Sequence, residues 1–300
     1  MDVLITGANG FLGHYLVKRL LKENYRVIAT GRGESRLPFD EGHNYRYVSL
    51  DFTDPYAVHD IFEQYKPAVV IHAGAMGKPD ECEEQQWQAY LVNVEGTVTL
   101  LMNAAEQQSF FVYISTDFVF DGTKGSYRED DATGPVNYYG KTKQEAEAAV
   151  TEYEADWAIV RTVLVYGQPL SGRSNILTIV KDKLQQGQTY NVVDDQFRTP
   201  TYVEDLADGI TRIVQQKARG IFHLSGEELL TPFQMARRTA EHLGLDAGLI
   251  HRVTAADFSQ PAKRPVNTSF NIGKAKAELG YAPLNFAEGL ARMFPVEEPK

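Results

Sequence analysis

Thr6-Gly7-Ala8-Asn9-Gly10-Phe11-Leu12-Gly13 follows a short apolar run, Val3-Leu4-Ile5, and opens a segment with leucines near helical spacing. The order strand, glycine turn, helix is that of a phosphate-binding βα unit. Glycines permit a tight turn and let backbone approach a pyrophosphate closely. The helix expected over residues 11–22 presents N–H groups and a partial positive charge at its start. The spacing is G-x-x-G-x-x-G rather than G-x-G-x-x-G, and a plain glycine-rich turn would look the same in isolation. The flanking strand and helix support the nucleotide-binding reading, which assigns Gly7, Asn9, Gly10, Phe11, Leu12 and Gly13 to a dinucleotide.

Working outward, residues 26–30 read as a second strand, and 69–71, 110–115 and 158–162 as further ones. Helices are expected over roughly 86–107 and about 138–153. This β-α-β order predicts an α/β fold: a Rossmann-type, doubly wound parallel sheet covered on both faces. After Gly167 the pattern loosens into Gly, Pro, Ser and Gln. Thr231-Pro232 reads as a helix start and Gly244 as its end. The expected organisation is an NAD(P)-binding domain over 1–166 plus about 200–225. A smaller, irregular substrate-binding lobe takes 167–199 and 226–300.

Composition narrows the function classes. The 300 residues are 43% hydrophobic and 23% charged, enough for a large core. Cys82 is the single cysteine, so disulfide frameworks and cysteine metal clusters are excluded. The seven histidines are scattered, and no metal site is expected. A net charge of −10 argues against nucleic acid as a partner. No apolar run is long enough for a membrane span and no signal peptide is visible, so a cytoplasmic location is expected. A homodimer is left open.

The end of the second strand bears on cofactor choice. An acid there usually bonds the ribose 2′-hydroxyl of NAD, but Ala29-Thr30-Gly31-Arg32 has none. Arg32 is placed to grip a 2′-phosphate, with Arg36 in support, which favours NADPH; NADH stays an alternative. His72-Ala73-Gly74-Ala75 ends another strand, and its small residues let a dinucleotide approach.

Tyr139 and Lys143 stand four residues apart and share a helix face. A phenol titrates near pH 10, and a neighbouring ammonium stabilises its phenolate, making it a usable acid. Y-x-x-x-K alone is a weak signal. It gains weight from Ser115-Thr116-Asp117-Phe118, which follows the strand at 110–115 and so sits at the carboxyl ends of the strands, where α/β proteins gather reacting groups. A hydroxyl there can donate to a carbonyl oxygen as charge develops. Asn93 lies within the long helix, where an Asn is usually solvated or bonded to its own backbone.

TGANGFLG at 6–13, DFTD at 51–54, STDFVFDG at 115–122, YGKTK at 139–143, RTVLVYG at 161–167, the segment 196–207 with Pro200-Thr201, and Arg264-Pro265-Val266-Asn267 run in one order over nearly the whole chain. In this the sequence resembles the extended short-chain dehydrogenase/reductases, and among them the dTDP-4-dehydrorhamnose reductase family. The resemblance implies a catalytic triad of Thr116, Tyr139 and Lys143. Tyr139 would give the proton, Lys143 would hold the nicotinamide ribose, and Thr116 would orient the keto oxygen. It also implies Asn93 in a water relay, Asp51 and Phe52 flanking adenine, and Val163 and Leu164 near the nicotinamide. Thr116, Asp117, Phe118, Gln196, Arg198 and Arg264 would meet the nucleotide-sugar. Two departures stand out: Phe118 replaces the family's tyrosine, and the segment 76–82 lacks its aromatic.

The function that follows is NAD(P)H-dependent reduction of a keto group on a nucleotide-activated deoxysugar. Two alternatives stand beside it. One is a nucleotide-sugar epimerase on the same fold. The other is a non-catalytic dinucleotide-binding protein resembling the regulatory subunit of methionine adenosyltransferase. A dehydratase is disfavoured, because Phe118 stands where those enzymes carry an acid.

Overall fold

The computed structural model describes residues 1–170 and 174–295. The last residues of the expected C-terminal lobe, 296–300, and 171–173 lie outside them. The chain begins β1 (Asp2–Thr6), α1 (Phe11–Lys22), β2 (Arg26–Gly31), β3 (Tyr45–Ser49), α2 (Pro55–Tyr65) and β4 (Val69–His72). It continues with α3 (Pro79–Glu84), α4 (Gln86–Tyr90), a π-helical turn (Leu91–Glu95), α5 (Gly96–Glu106), β5 (Phe110–Thr116), α6 (Tyr138–Thr151) and β6 (Trp157–Thr162). Then come β7 (Val165–Tyr166), α7 (Ile176–Gln185), β8 (Tyr190–Val193), β9 (Thr201–Tyr202), α8 (Val203–Gln216) and β10 (Gly220–Leu224). The chain closes with α9 (Pro232–His242), β11 (Ile250–Val253), α10 (Gly273–Leu279) and α11 (Phe286–Met293).

Seven strands form one sheet in the order β10-β6-β5-β4-β1-β2-β3, every neighbouring pair parallel. This is the doubly wound architecture expected from the sequence. The alternation of side chains along each strand divides its apolar residues between two faces. Val3 and Ile5 of β1 and Val69 and Ile71 of β4 join the core beneath α1, α8 and α10. Leu4 and Val70 point the other way, into the core beneath α2, α5 and α6. Both faces are dry, so these strands read as continuous apolar runs. The winding reverses between β1 and β4, and such a reversal opens a crevice at the carboxyl ends of the strands.

The expected helix over residues 86–107 is present but not regular. It breaks after α4 into the π-turn and resumes as α5. Several elements escaped the reading, among them β3, α2, α8 and the sheet's other edge strand β10. Asp54-Pro55 is nonetheless a strong helix start: the Asp54 carboxylate accepts from the amides of Tyr56 and Ala57. Beyond the sheet, β8 and β11 pair in parallel. They pack with α7 and α9 around Val180, Phe233 and Ala236. The expected N-cap at Thr231 is a full capping box with Gln234, and Gly244 follows the helix end in the left-handed region at φ 65°. Two adjacent pieces, β7 and β9, tie this region to the sheet. Among the described residues no helix is long and apolar enough to cross a membrane, and no group of side chains could hold a metal ion.

Candidate active site

The glycine turn is a bare-backbone cradle. Gly7 has φ +71°, and a Cβ there would lie 2.7 Å from the Gly74 nitrogen and 2.8 Å from the Ala73 carbonyl carbon. A Cβ on Gly13 would stand 2.3 Å from the Gly7 oxygen. Side chains are thus excluded from the switch point between β1 and β4. Gly10 caps α1 without a side-chain bond, leaving the first-turn amides no intrahelical acceptor. Such a turn fits the diphosphate of a dinucleotide. Asn9 braces it from below. Its Nδ2 donates to the Glu34 carbonyl at 2.9 Å and the Tyr47 hydroxyl at 2.7 Å, and its Oδ1 accepts from the Arg36 amide. Arg32 is exposed on the loop that Asn9 holds.

Behind the cradle runs a buried polar chain. The Thr6 hydroxyl meets His72 Nδ1 at 2.6 Å, His72 Nε2 meets the Thr97 hydroxyl at 3.1 Å, and Thr97 donates to the Asn93 carbonyl at 2.8 Å. Burial holds His72 well below its ordinary pKa, so the ring is neutral. Asn93 sits in the π-turn with both ends of its amide engaged. Nδ2 donates to the Thr142 hydroxyl and the Met76 carbonyl, and Oδ1 accepts from the Met76 amide at 2.8 Å. Asn93 therefore ties the loop after β4 to α6. These bonds are those of a positioning residue, not of a solvated or self-bonded helical Asn.

A cleft of about 550 Å³ opens at the carboxyl ends of the strands. Phe11, Leu12, Ala73 and Ala75, the residues expected at the cofactor, line it together with Thr116, Asp117, Phe118, Tyr139 and Lys143. Leu164, Gln196, Arg198 and Arg264 line it as well. Leu164 is held at φ 35°, an uncommon backbone conformation for a leucine, and its side chain is 37% exposed. Val163 is fully buried, its carbonyl accepting from the Thr201 hydroxyl at 2.6 Å.

Tyr139 and Lys143 rise from the first turns of α6. Asn137 caps this helix, its Oδ1 accepting from the Gly140 amide at 2.8 Å. Gly140 is obligatory: a Cβ there would meet the Phe118 carbonyl oxygen at 2.1 Å. The ring of Phe118 stands edge-on to Tyr139 at 6.0 Å. Lys143 is buried, donates from Nζ to the Ile114 carbonyl at 2.8 Å, and lies over the Tyr113 ring. Burial pulls its ammonium down to about 7, against the opposing pull of the Glu147 carboxylate.

Ser115 and Thr116 separate cleanly. Ser115 borders the cleft but spends its hydroxyl on Glu147, donating at 2.5 Å; Glu147 also holds Arg161 through Nε and Nη2 in a buried pair. Thr116 faces the cleft, donating to Asp117 over a long 3.2 Å. Asp117 is buried, which raises its pKa, while Arg198, Thr268 and Thr116 oppose that shift.

The other residues assigned from the resemblance are placed as follows. Phe52 turns its ring inward: a Cβ on Gly74 would lie 2.5 Å from it and one on Gly96 2.7 Å, so the ring fills the space between these two glycines. Asp51 is exposed and accepts from Thr53. Arg198 is buried and spends its donors on the carbonyls of Phe197, Pro265 and Val266, with Asp117 3.4 Å from Nε. Arg264 is clasped by Asp80. Asn137, Glu147 and Asp80 were missed. An Asn just before a helix start is a capping signal that could have found Asn137; nothing local marks the other two.

Fold and site together are those of the extended short-chain dehydrogenase/reductases. The chain belongs to the RmlD substrate binding domain family, whose model matches residues 1–297. It is 32% identical over 278 residues to methionine adenosyltransferase 2 subunit beta of Pongo abelii, covering 91% of this chain and 80% of the relative. It is 31% identical over 290 residues to the spore coat polysaccharide biosynthesis protein SpsK of Bacillus subtilis, covering 96% and 95%. A dTDP-4-dehydrorhamnose reductase ortholog from Clostridium acetobutylicum superposes with a TM-score of 0.86 at 31% identity, covering 98% of both chains. The Bacillus anthracis dTDP-4-dehydrorhamnose reductase, solved in complex with NADP, gives 0.86 at 27% identity, covering 97% and 98%.

Proposed function

We propose that this chain is an NAD(P)H-dependent reductase of a keto group on a nucleotide-activated deoxysugar, with NADPH preferred. The observation that carries the reading is the meeting of Thr116, Tyr139 and Lys143 on one cleft that continues to Gln196 and Arg264. The glycine turn, Phe11, Leu12, Arg32, residues 73–75, Lys143, Val163 and Leu164 would hold the dinucleotide, which supplies a hydride when bound. Tyr139 gives its phenolic proton to the substrate oxygen as charge builds there. The resulting phenolate favours the charged form of Lys143, which burial alone disfavours. Thr116 gives up a weak 3.2 Å bond to Asp117 and turns its hydroxyl to the same oxygen. The relatives named for dehydrorhamnose reduction and polysaccharide synthesis support the substrate class.

The test is a panel of keto-sugar nucleotides assayed for NADPH oxidation, with Tyr139→Phe as the control. Turnover that vanishes in the variant supports the proposal. The relatives named as subunit beta favour a second reading, a non-catalytic dinucleotide-binding subunit. That reading predicts dinucleotide binding, no turnover on any member of the panel, and capture of purified methionine adenosyltransferase.

A further inference from the structure

Three successive residues of the segment 262–264 are bonded to the catalytic half of the molecule. The Ala262 amide donates to Asp80 Oδ1 at 3.1 Å. The Lys263 carbonyl accepts from Asn137 Nδ2 at 2.7 Å, on the residue that caps the catalytic helix. Arg264 donates from Nη1 to Asp80 Oδ1 at 2.6 Å and from Nη2 to Oδ2 at 2.7 Å. The two partners stand 184 residues apart in sequence. Two parallel bonds fix the plane of a guanidinium as a single contact cannot.

We propose that Asp80 is a positioning residue for substrate recognition, holding Arg264 and the 262–264 strap at the cleft wall so that the guanidinium meets the diphosphate of a nucleotide-sugar. This rests on the substrate class proposed above. The need for a tether is electrostatic. Arg198 and Arg264 lie close enough to repel one another. Arg198 is balanced by Asp117 and fixed by three backbone carbonyls. Arg264 has Asp80 and the Ala262 carbonyl at 2.6 Å, so without the carboxylate the long side chain swings from its neighbour's charge. Asp80 is also 37% exposed at its side chain, and a partly exposed ion pair contributes little to folding. Its loss is therefore read in recognition rather than in stability.

The experiment uses the full chain loaded with NADP⁺ and thymidine diphosphate as the probe, by titration calorimetry, beside steady-state kinetics on the keto-sugar nucleotide that turns over. Asp80→Asn is expected to raise the probe Kd and the sugar KM about 10-fold with kcat held within about twofold. Arg264→Lys, which keeps the charge but loses the fork, is expected to do the same. In an Arg264→Ala background, Asp80→Asn adds nothing. An unchanged Kd in Asp80→Asn, or its full effect persisting without Arg264, overturns the proposal. So does a loss of thermal stability with kcat falling alongside. If wild-type protein neither binds the probe nor turns over any keto-sugar nucleotide, the substrate class itself has failed. That result is distinct from a wild type that binds and a variant that binds equally well.

Discussion

Lys143 stands over Tyr113, its Nζ 4.0 Å from the ring centroid, and is almost fully buried. The aromatic face and the Ile114 carbonyl are partial compensation for a buried cation. Burial still wins, and the ammonium titrates near 7 instead of 10.5. Between those two values the unfolded chain binds more protons than the folded one. The contribution of this group to apo-protein stability therefore rises with pH across that window and is at its worst below 7. Lys143→Met should raise the apo melting temperature at pH 6 by about 2–5 °C and flatten its pH dependence above 7. The same variant should lose turnover. Thermal melts across pH 6–10 check both signs; a destabilised variant at pH 6 contradicts the argument.

Tyr139→Phe removes one hydroxyl and leaves the ring against Phe118. Positioned proton transfer contributes about 10²–10⁴-fold to rate, and kcat should fall by that factor while dinucleotide affinity holds. Stopped-flow NADPH oxidation with a parallel fluorescence titration separates the two quantities. Turnover near that of the wild type would remove Tyr139 from the chemistry.

The two neighbouring hydroxyls should respond in opposite ways. Ser115→Ala breaks a charge-assisted bond to Glu147, which keeps Arg161, so about 1–3 kcal/mol of stability should go while kcat changes little. Thr116→Val keeps the shape and loses the donor, so kcat should drop about 10–100-fold with little change in unfolding midpoint. Urea denaturation and kinetics on both variants decide the assignment, and the reverse pattern would exchange their roles.

Arg32→Ala tests cofactor choice. Arg32 is exposed at the end of β2, a strand that ends without an acid. NADPH binding should weaken by about 1–3 kcal/mol, the scale of lost charge-assisted hydrogen bonds, and NADH binding should not. Equal losses for the two cofactors would place Arg32 outside the 2′-phosphate contact.

The fold was legible because doubly buried parallel strands write themselves as short apolar runs, such as residues 3–5 and 69–71. The edge strand β3, at Tyr45–Ser49, hid because one of its flanks faces solvent and its sequence YRYVS is mixed. The candidate reacting residues Thr116, Tyr139 and Lys143 stood out through their spacing on one helix and one strand end, and they meet on one cleft. What surrounds them was not. Arg264 read as a cation waiting for a ligand, because Asp80 lies far away in sequence and meets it only through the fold. Arg198, which the resemblance places at the nucleotide-sugar, lines the cleft, but its bonds to the carbonyls of 265 and 266 are likewise made only by the fold. Asn93 was marked only through the family resemblance, because the π-turn that aims it leaves no local sequence signature.

That turn makes the chain sensitive to length at one place. A π-turn accommodates a residue more than the α-helical path it interrupts. Loss of a single codon within 91–95 would let α4 and α5 anneal into one regular helix, with good backbone bonding throughout. The residues on either side would keep their phase, because the widened turn already absorbs the extra residue. What changes is the turn itself: Asn93, which ties the loop after β4 to α6 through Met76 and Thr142, would be lost or re-aimed. A change that improves the helix as a helix would therefore loosen α6 from that loop while leaving Thr97 on His72.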